Sequence, residues 1–262
     1  MFGEFLITDF LIFLAVGFLA QLVDGALGMA YGVTSTTALL TFGVAPATAS
    51  ASVHAAKMFT TAASGASHAA HKNVDWKLFF KLTPAGVIGG MIGAYVLTSI
   101  DGNTVKPFIV GYLGVMGIVI LYRVFRPSKP RPVHAMLTSP LGLAGGFVDA
   151  VGGGGWGPVV TSSLMGAGGE PRYVIGTVNT SEFFVSVATS TAFLVALISG
   201  HWENTGDLVA NATAVAGLIF GGLVAAPLGG WMVKSAPQRA LGALVGVLVI
   251  GLSIYQAWRF FA

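Results

Sequence analysis

The sequence predicts an all-α polytopic membrane protein made of two inverted repeats of about five hydrophobic segments each, with broken or re-entrant elements meeting near the midplane. Three observations carry this. Only 9% of the residues are charged against 55% hydrophobic, with mean hydropathy +0.81. A soluble domain carries about 25% charged residues, so lipid must be the solvent here. Apolar runs long enough to span a bilayer recur along the whole chain. The second half also repeats, weakly but in order, the Asp, Gly and Pro residues of the first.

The apolar segments fall at roughly 5–23, 26–41, 47–70, 78–99 and 105–123, and again at 134–150, 155–167, 172–199, 208–232 and 239–260. Glu4 and Asp9 precede the first segment where a signal peptide would carry basic residues, so it is expected to be retained. The polar stretch "RVFRPSKPRPVH" separates the two series, which gives an N-terminal repeat at 1–126, a linker at 127–133 and a C-terminal repeat at 134–262. Cysteine is absent, which excludes disulfides, thiolate nucleophiles and thiolate-bound metals. Neither a metal nor any other cofactor is expected, and the net charge of +3 reads as loop bias, not as nucleic-acid binding.

A shift of 125 places Asp24 on Asp149, Gly28 on Gly153, Gly32 on Gly157, Thr36 on Thr161, Gly43 on Gly168 and Pro46 on Pro171. With small gaps Asp75 meets Asp207, and Gly89 and Gly90 meet Gly221 and Gly222. With the N-terminus outside, Lys72, Lys77, Lys81, Arg123, Arg126, Lys129, Arg131, Arg172, Lys234 and Arg239 share the cytoplasmic side, together with the loop at 123–134. Lys106 and Arg259 lie outside. The equivalent loops at 71–77 and 201–207 then face opposite sides, one basic and one acidic, which makes the repeats inverted. Inverted five-segment repeats are a transporter architecture.

Two stretches interrupt the apolar pattern at matching places: "LVDGALGMAYGVTS" (22–35) and "GFVDAVGGGGWGPVV" (146–160). Short, glycine-broken segments in both halves point to a transporter's binding site. Broken elements whose tips approach from opposite sides would present helix N-termini, with unpaired amides, to an anion. The expected substrate-binding groups there are Gly25, Gly28, Thr34, Ser35 and Thr36 from the first half. The second contributes Gly153, Gly154, Gly155, Trp156, Thr161 and Ser162, with Trp156 walling the cavity. Asp24 and Asp149 have two readings open, as caps of the helix starts and as gating or proton-coupling groups. The pattern Gly152-x-Gly154-x-x-Gly157 resembles a dinucleotide fingerprint, but no βαβ unit surrounds it.

The third segments carry buried polar groups. His54 and Lys57 in the first half align with Asn179 and Glu182 in the second, beside Thr180. Lys57 and Glu182 read equally as a buried ion pair joining the halves or as an anion attractor and a proton carrier. His54 and Asn179 are further binding candidates.

The blocks "GGFVDAVGGGGWGPVVTSSLM" and "PRYVIGTVNTSEFF", with "KNVDWKLF" and the duplicated layout, resemble the TauE/SafE sulfite exporter family over essentially the whole chain. The resemblance implies an inner-membrane permease that exports a small sulfur-containing oxyanion such as sulfite or sulfoacetate. The repeat architecture implies alternating access, and the partners expected are a small anionic substrate, the lipid bilayer and, as one open alternative, a second copy of the chain in a homodimer. An anion channel of the same fold is the first rival. An intramembrane enzyme is a weaker one, because HExxH, GxSxG and paired catalytic carboxylates are missing from the sequence.

Overall fold

The computed structural model describes residues 2–126, 137–202, 212–235 and 237–261. The linker at 127–133 and the loop residues 203–207, including Asp207, lie outside the described residues. Among the described residues every regular element is helical. In the first half these are α1 (Phe2–Leu27), α2 (Tyr31–Thr41), α3 (Pro46–Ala70), α4 (Trp76–Thr98) and α5 (Gly102–Phe125). The second half has α6 (Thr138–Gly152), a π-helical turn (Trp156–Thr161) running into α7 (Ser162–Gly166), and α8 (Pro171–Ile198). It ends with α9 (Ala212–Ala225), a 3-10 turn (Ala226–Leu228), α10 (Gly229–Ser235) and α11 (Gln238–Phe261).

Five of the described helices are long and apolar enough to cross a membrane. Their outward faces carry exposed Phe80, Ile88, Phe108, Ile118, Leu194 and Ile198, as lipid demands. The starts and stops follow local chemistry. Pro46 and Pro171 open α3 and α8, where the missing N–H costs nothing. Asp75 and Asp101 cap α4 and α5 through their own side chains. Gly28 and Gly153 end α1 and α6 at φ +66 and +68, a left-handed conformation that glycine adopts without strain.

The directions of the helices follow from which residues touch. Gly17 and Gly25 of α1 meet Leu218 and Gly229, so α1 runs parallel to the α9–α10 segment. Thr60 and Ser64 of α3 meet Gly222 and Gly229, so α3 runs the same way. Between two parallel helices the chain must turn back, and α2 makes that return. Its 11 residues span about 16 Å, half of a hydrocarbon core of about 30 Å. The second half is built alike but upside down. Gly142 and Gly146 of α6 meet Leu82 and Gly86 of α4, while Val185 and Thr189 of α8 meet Gly86 and Gly90, so α4, α6 and α8 are parallel. A bond from Ser64 to Asn179 and the ring contact of His54 with Phe193 set α8 antiparallel to α3. The repeats are therefore inverted, and each opens with a hairpin-like broken element.

One sequence pairing moves by a turn. Gly86 lies over Trp156 and Val185 just as Gly222 lies over Tyr31 and Thr60. Contacts thus match Gly86, not Gly90, with Gly222, because helix packing repeats every turn and apolar sequence does not fix which turn is used. At the α4–α6 seam, a Cβ on Gly89 or Gly146 would enter the facing backbone, so these small residues set the close approach.

Candidate functional site

The two breaks sit tip to tip. The chain leaves α1 at Gly28 and enters α2 at Tyr31. It leaves α6 at Gly153 and enters the π turn at Trp156. The Oδ1 of Asp24 accepts the amides of Ala30 (2.8 Å) and Tyr31 (3.2 Å) across the first break. The Oδ1 of Asp149 accepts those of Gly155 (2.7 Å) and Trp156 (3.0 Å) across the second. Both aspartates therefore satisfy a helix start, but from the last turn of the preceding helix and not from the N-cap position, which Ala30 and Gly155 occupy. The tips are also tied reciprocally: Thr36 Oγ1 donates to Gly153 O (2.7 Å) and Thr161 Oγ1 to Gly28 O (2.8 Å).

This geometry corrects the expected role of the glycines. The amides that would have greeted an anion hold the chain's own carboxylates. A Cβ on Gly154 would overlap the backbone of Gly32 and Val33, and one on Gly157 would overlap Gly28 and Met29. These two glycines let two backbones touch. Gly25 lies one turn before its tip and packs on Gly229. Trp156 packs inside the protein. It is fully buried, its Nε1 donates to Val178 O (3.1 Å), and its ring fills the space beside Gly86.

The charged centre lies where the tip of the second half meets α3. Lys57 Nζ reaches both oxygens of Asp149 (2.9 Å each) and Glu182 Oε1 (2.7 Å), which uses all three of its N–H groups. Lys57, Asp149 and Glu182 are 1%, 0% and 4% exposed. The lysine comes from α3 of one half, and both carboxylates come from α6 and α8 of the other. His54 Nδ1 lies 2.8 Å from Ser50 O, and its Nε2 lies 3.1 Å from Asp149 Oδ2. Ser50 Oγ donates to Ala150 O (2.5 Å), pinning α3 to the same tip.

Other candidates spread out around this centre. Thr34, Ser35 and Ser162 are buried with hydroxyl oxygens that have no hydrogen-bond partner among the described residues. Asn179 donates to Ile175 O (3.3 Å) and accepts from Ser64 (3.4 Å), away from His54. Thr180 only bonds Gly176 O of its own helix (2.7 Å), and its Cα packs on Gly65. The Oδ2 of Asp24 has no hydrogen-bond partner among the described residues.

Three residues join the site that the sequence did not single out. Tyr112 of α5 donates to Gly154 O (3.3 Å). The ring of Phe193 meets that of His54 at a tilt with centroids 6.1 Å apart, and Trp202 meets Phe193 likewise at 5.9 Å. Trp202 in turn lines a cavity of about 670 Å³ at the end where α3 and α5 begin, together with Asp101, Lys106 and His201. Two buried aromatic rings thus separate this polar vestibule from the charged centre. Aromatic residues in and beside apolar helices are ordinary in sequence, so nothing there flagged them.

A family model described as "Sulfite exporter TauE/SafE" matches residues 13–260. The "Probable membrane transporter protein YtnM" of Bacillus subtilis (strain 168) is 44% identical over 258 residues, covering 95% of this chain and 83% of that protein. No solved structure matches.

Proposed function

The chain belongs to the sulfite exporter TauE/SafE family, and from that premise we propose that it is a secondary transporter exporting a small sulfur-containing oxyanion across the inner membrane by alternating access. The observation that carries the proposal is the buried Lys57, whose three hydrogens are all held by carboxylates of the opposite repeat. A fully buried ammonium at a repeat interface is costly unless paired, and the pairing here stands where an anion could replace a carboxylate. The substrate would sit on Lys57 with His54 and the unpartnered hydroxyls of Thr34, Ser35 and Ser162 as neighbours. Sulfite, sulfoacetate and related sulfonates present the oxygens such donors fit.

With the N-terminus outside, as the Lys and Arg distribution favours, the 670 Å³ vestibule opens outward. The charged centre is closed from it by Phe193 and Trp202. Alternating access is then a rocking of one inverted repeat on the other about the touching tips, which opens the vestibule side and its pseudo-symmetric counterpart in turn. Calorimetric titration of the purified protein against sulfite, sulfate, thiosulfate and methanesulfonate tests the reading. Saturable binding of at least one anion, abolished in Lys57→Met, is expected. An intact protein that binds none of them would overturn it.

A further inference from the structure

Resting on that reading, we infer that Glu182 is the group that yields Lys57 to the entering anion, and that it takes up one proton as it leaves, so that anion and proton move together. Hydrogen-bond bookkeeping carries the argument. All three hydrogens of Lys57 are in use, so an anion can reach Nζ only by displacing one of its carboxylates. The two are held very unequally. Asp149 keeps the amides of Gly155 and Trp156 and the ring of His54 when Lys57 lets go. Glu182 has Lys57 as its one polar partner among the described residues. The weakly held carboxylate leaves first.

Besides Lys57, Asp149 meets His54, whose Nε2 lies 3.1 Å from Oδ2, and the amides of Gly155 and Trp156. Those partners stay with Asp149, whereas Lys57 is what holds Glu182. An incoming anion takes over the charge of Lys57 and strands Glu182 as an ionised carboxylate buried without a partner. Such a group is neutralised, not tolerated.

The pseudo-twofold that relates Lys57 to Glu182 relates Asp149 to Asp24. The Oδ2 of Asp24 is buried and has no hydrogen-bond partner among the described residues. The other ionisable groups around this point are Tyr31 on α2 and Tyr112 on α5, besides His54, Lys57, Asp24 and Asp149. The α9 helix brings none, and Lys77, Lys81 and Tyr95 of α4 point away and are exposed.

The proton balance is one solvent proton bound to a Glu182 oxygen per anion bound to Lys57, and both are released on the other side. Titrating methanesulfonate, which holds its charge across neutral pH, into the full-length protein in two buffers of different ionisation enthalpy reads this directly. The expected result is uptake of about one proton per anion bound. In Glu182→Gln, whose amide oxygen still accepts from Lys57, binding should persist or tighten while proton uptake falls to near zero. Anion binding with the same heat in both buffers, in the wild type alone, overturns the inference and leaves the transporter reading standing. Proton uptake that survives Glu182→Gln overturns the assignment to this residue. Failure of methanesulfonate, sulfate and thiosulfate all to bind removes the anion site itself and this inference with it.

Discussion

Removing Lys57 should be the most damaging single truncation in the protein. Lys57→Met keeps the stem but deletes three bonds of 2.7–2.9 Å and leaves Asp149 and Glu182, at 0% and 4% exposure, without the ammonium that joined them. Breaking a buried pair by removing one partner costs about 3–5 kcal/mol. At about 2–4 °C per kcal/mol for a chain of this size, the apparent melting temperature in detergent should fall by about 10 °C. Glu182→Met should cost less on its own, because Lys57 retains both oxygens of Asp149. The double variant Lys57→Met with Glu182→Met removes one stranded carboxylate, so it should be more stable than Lys57→Met by about 1–3 kcal/mol. Asp149 tolerates the loss because His54 and two amides still hold it. Thermal unfolding of the three variants followed by intrinsic fluorescence completes the cycle. Losses that simply add would refute the network, since they would mean that Lys57 and Glu182 stand independently.

Other perturbations discriminate among the site's parts. Gly154→Ala puts a methyl into the backbone of Gly32 and Val33, so it should cost at least the usual overpacking penalty of about 1–3 kcal/mol in unfolding assays. Gly43→Ala, at φ +88 but with open space around it, should cost only the left-handed strain of about 1–2 kcal/mol and leave anion binding unchanged. Trp156→Phe keeps an aromatic ring but deletes the indole N–H that donates to Val178 O and leaves part of the indole's space empty, and should lower stability by about 1–3 kcal/mol without abolishing binding. In this cysteine-free chain, Lys77→Cys and Ser199→Cys should react with an impermeant thiol reagent from opposite faces of the membrane; labelling of both from one face would break the inverted arrangement.

Much of this was legible in the sequence because the repeat carries polar punctuation. Asp24 and Asp149, matched at a shift of 125, mark both tips, and the same shift sets Lys57 level with Glu182, which the ion pair at 2.7 Å bears out. Helix breaking at Gly28 and Gly153 was legible for the same reason, since a glycine run in apolar sequence has few other uses. What one glycine touches was not legible. A run that allows an anion to approach the backbone equally allows another backbone to approach, and Gly154 turned out to face Gly32. Nor does sequence reveal that the aspartate capping one tip also meets a lysine 92 positions away. That depends on the tips crossing, which only packing decides. The vestibule and its aromatic floor of Phe193 and Trp202 were hidden because the lining residues come from three stretches far apart in the chain.

The central claim is that the chain carries an oxyanion through a site on Lys57 that opens to one side at a time. Counterflow in proteoliposomes tests it most directly: vesicles holding purified protein are loaded with unlabelled sulfite and diluted into a trace of radiolabelled sulfite. The account predicts a transient accumulation of label above equilibrium, saturable in the internal sulfite and absent from Lys57→Met. Label that enters without overshoot, at a rate linear in concentration, would contradict it and identify an open pore.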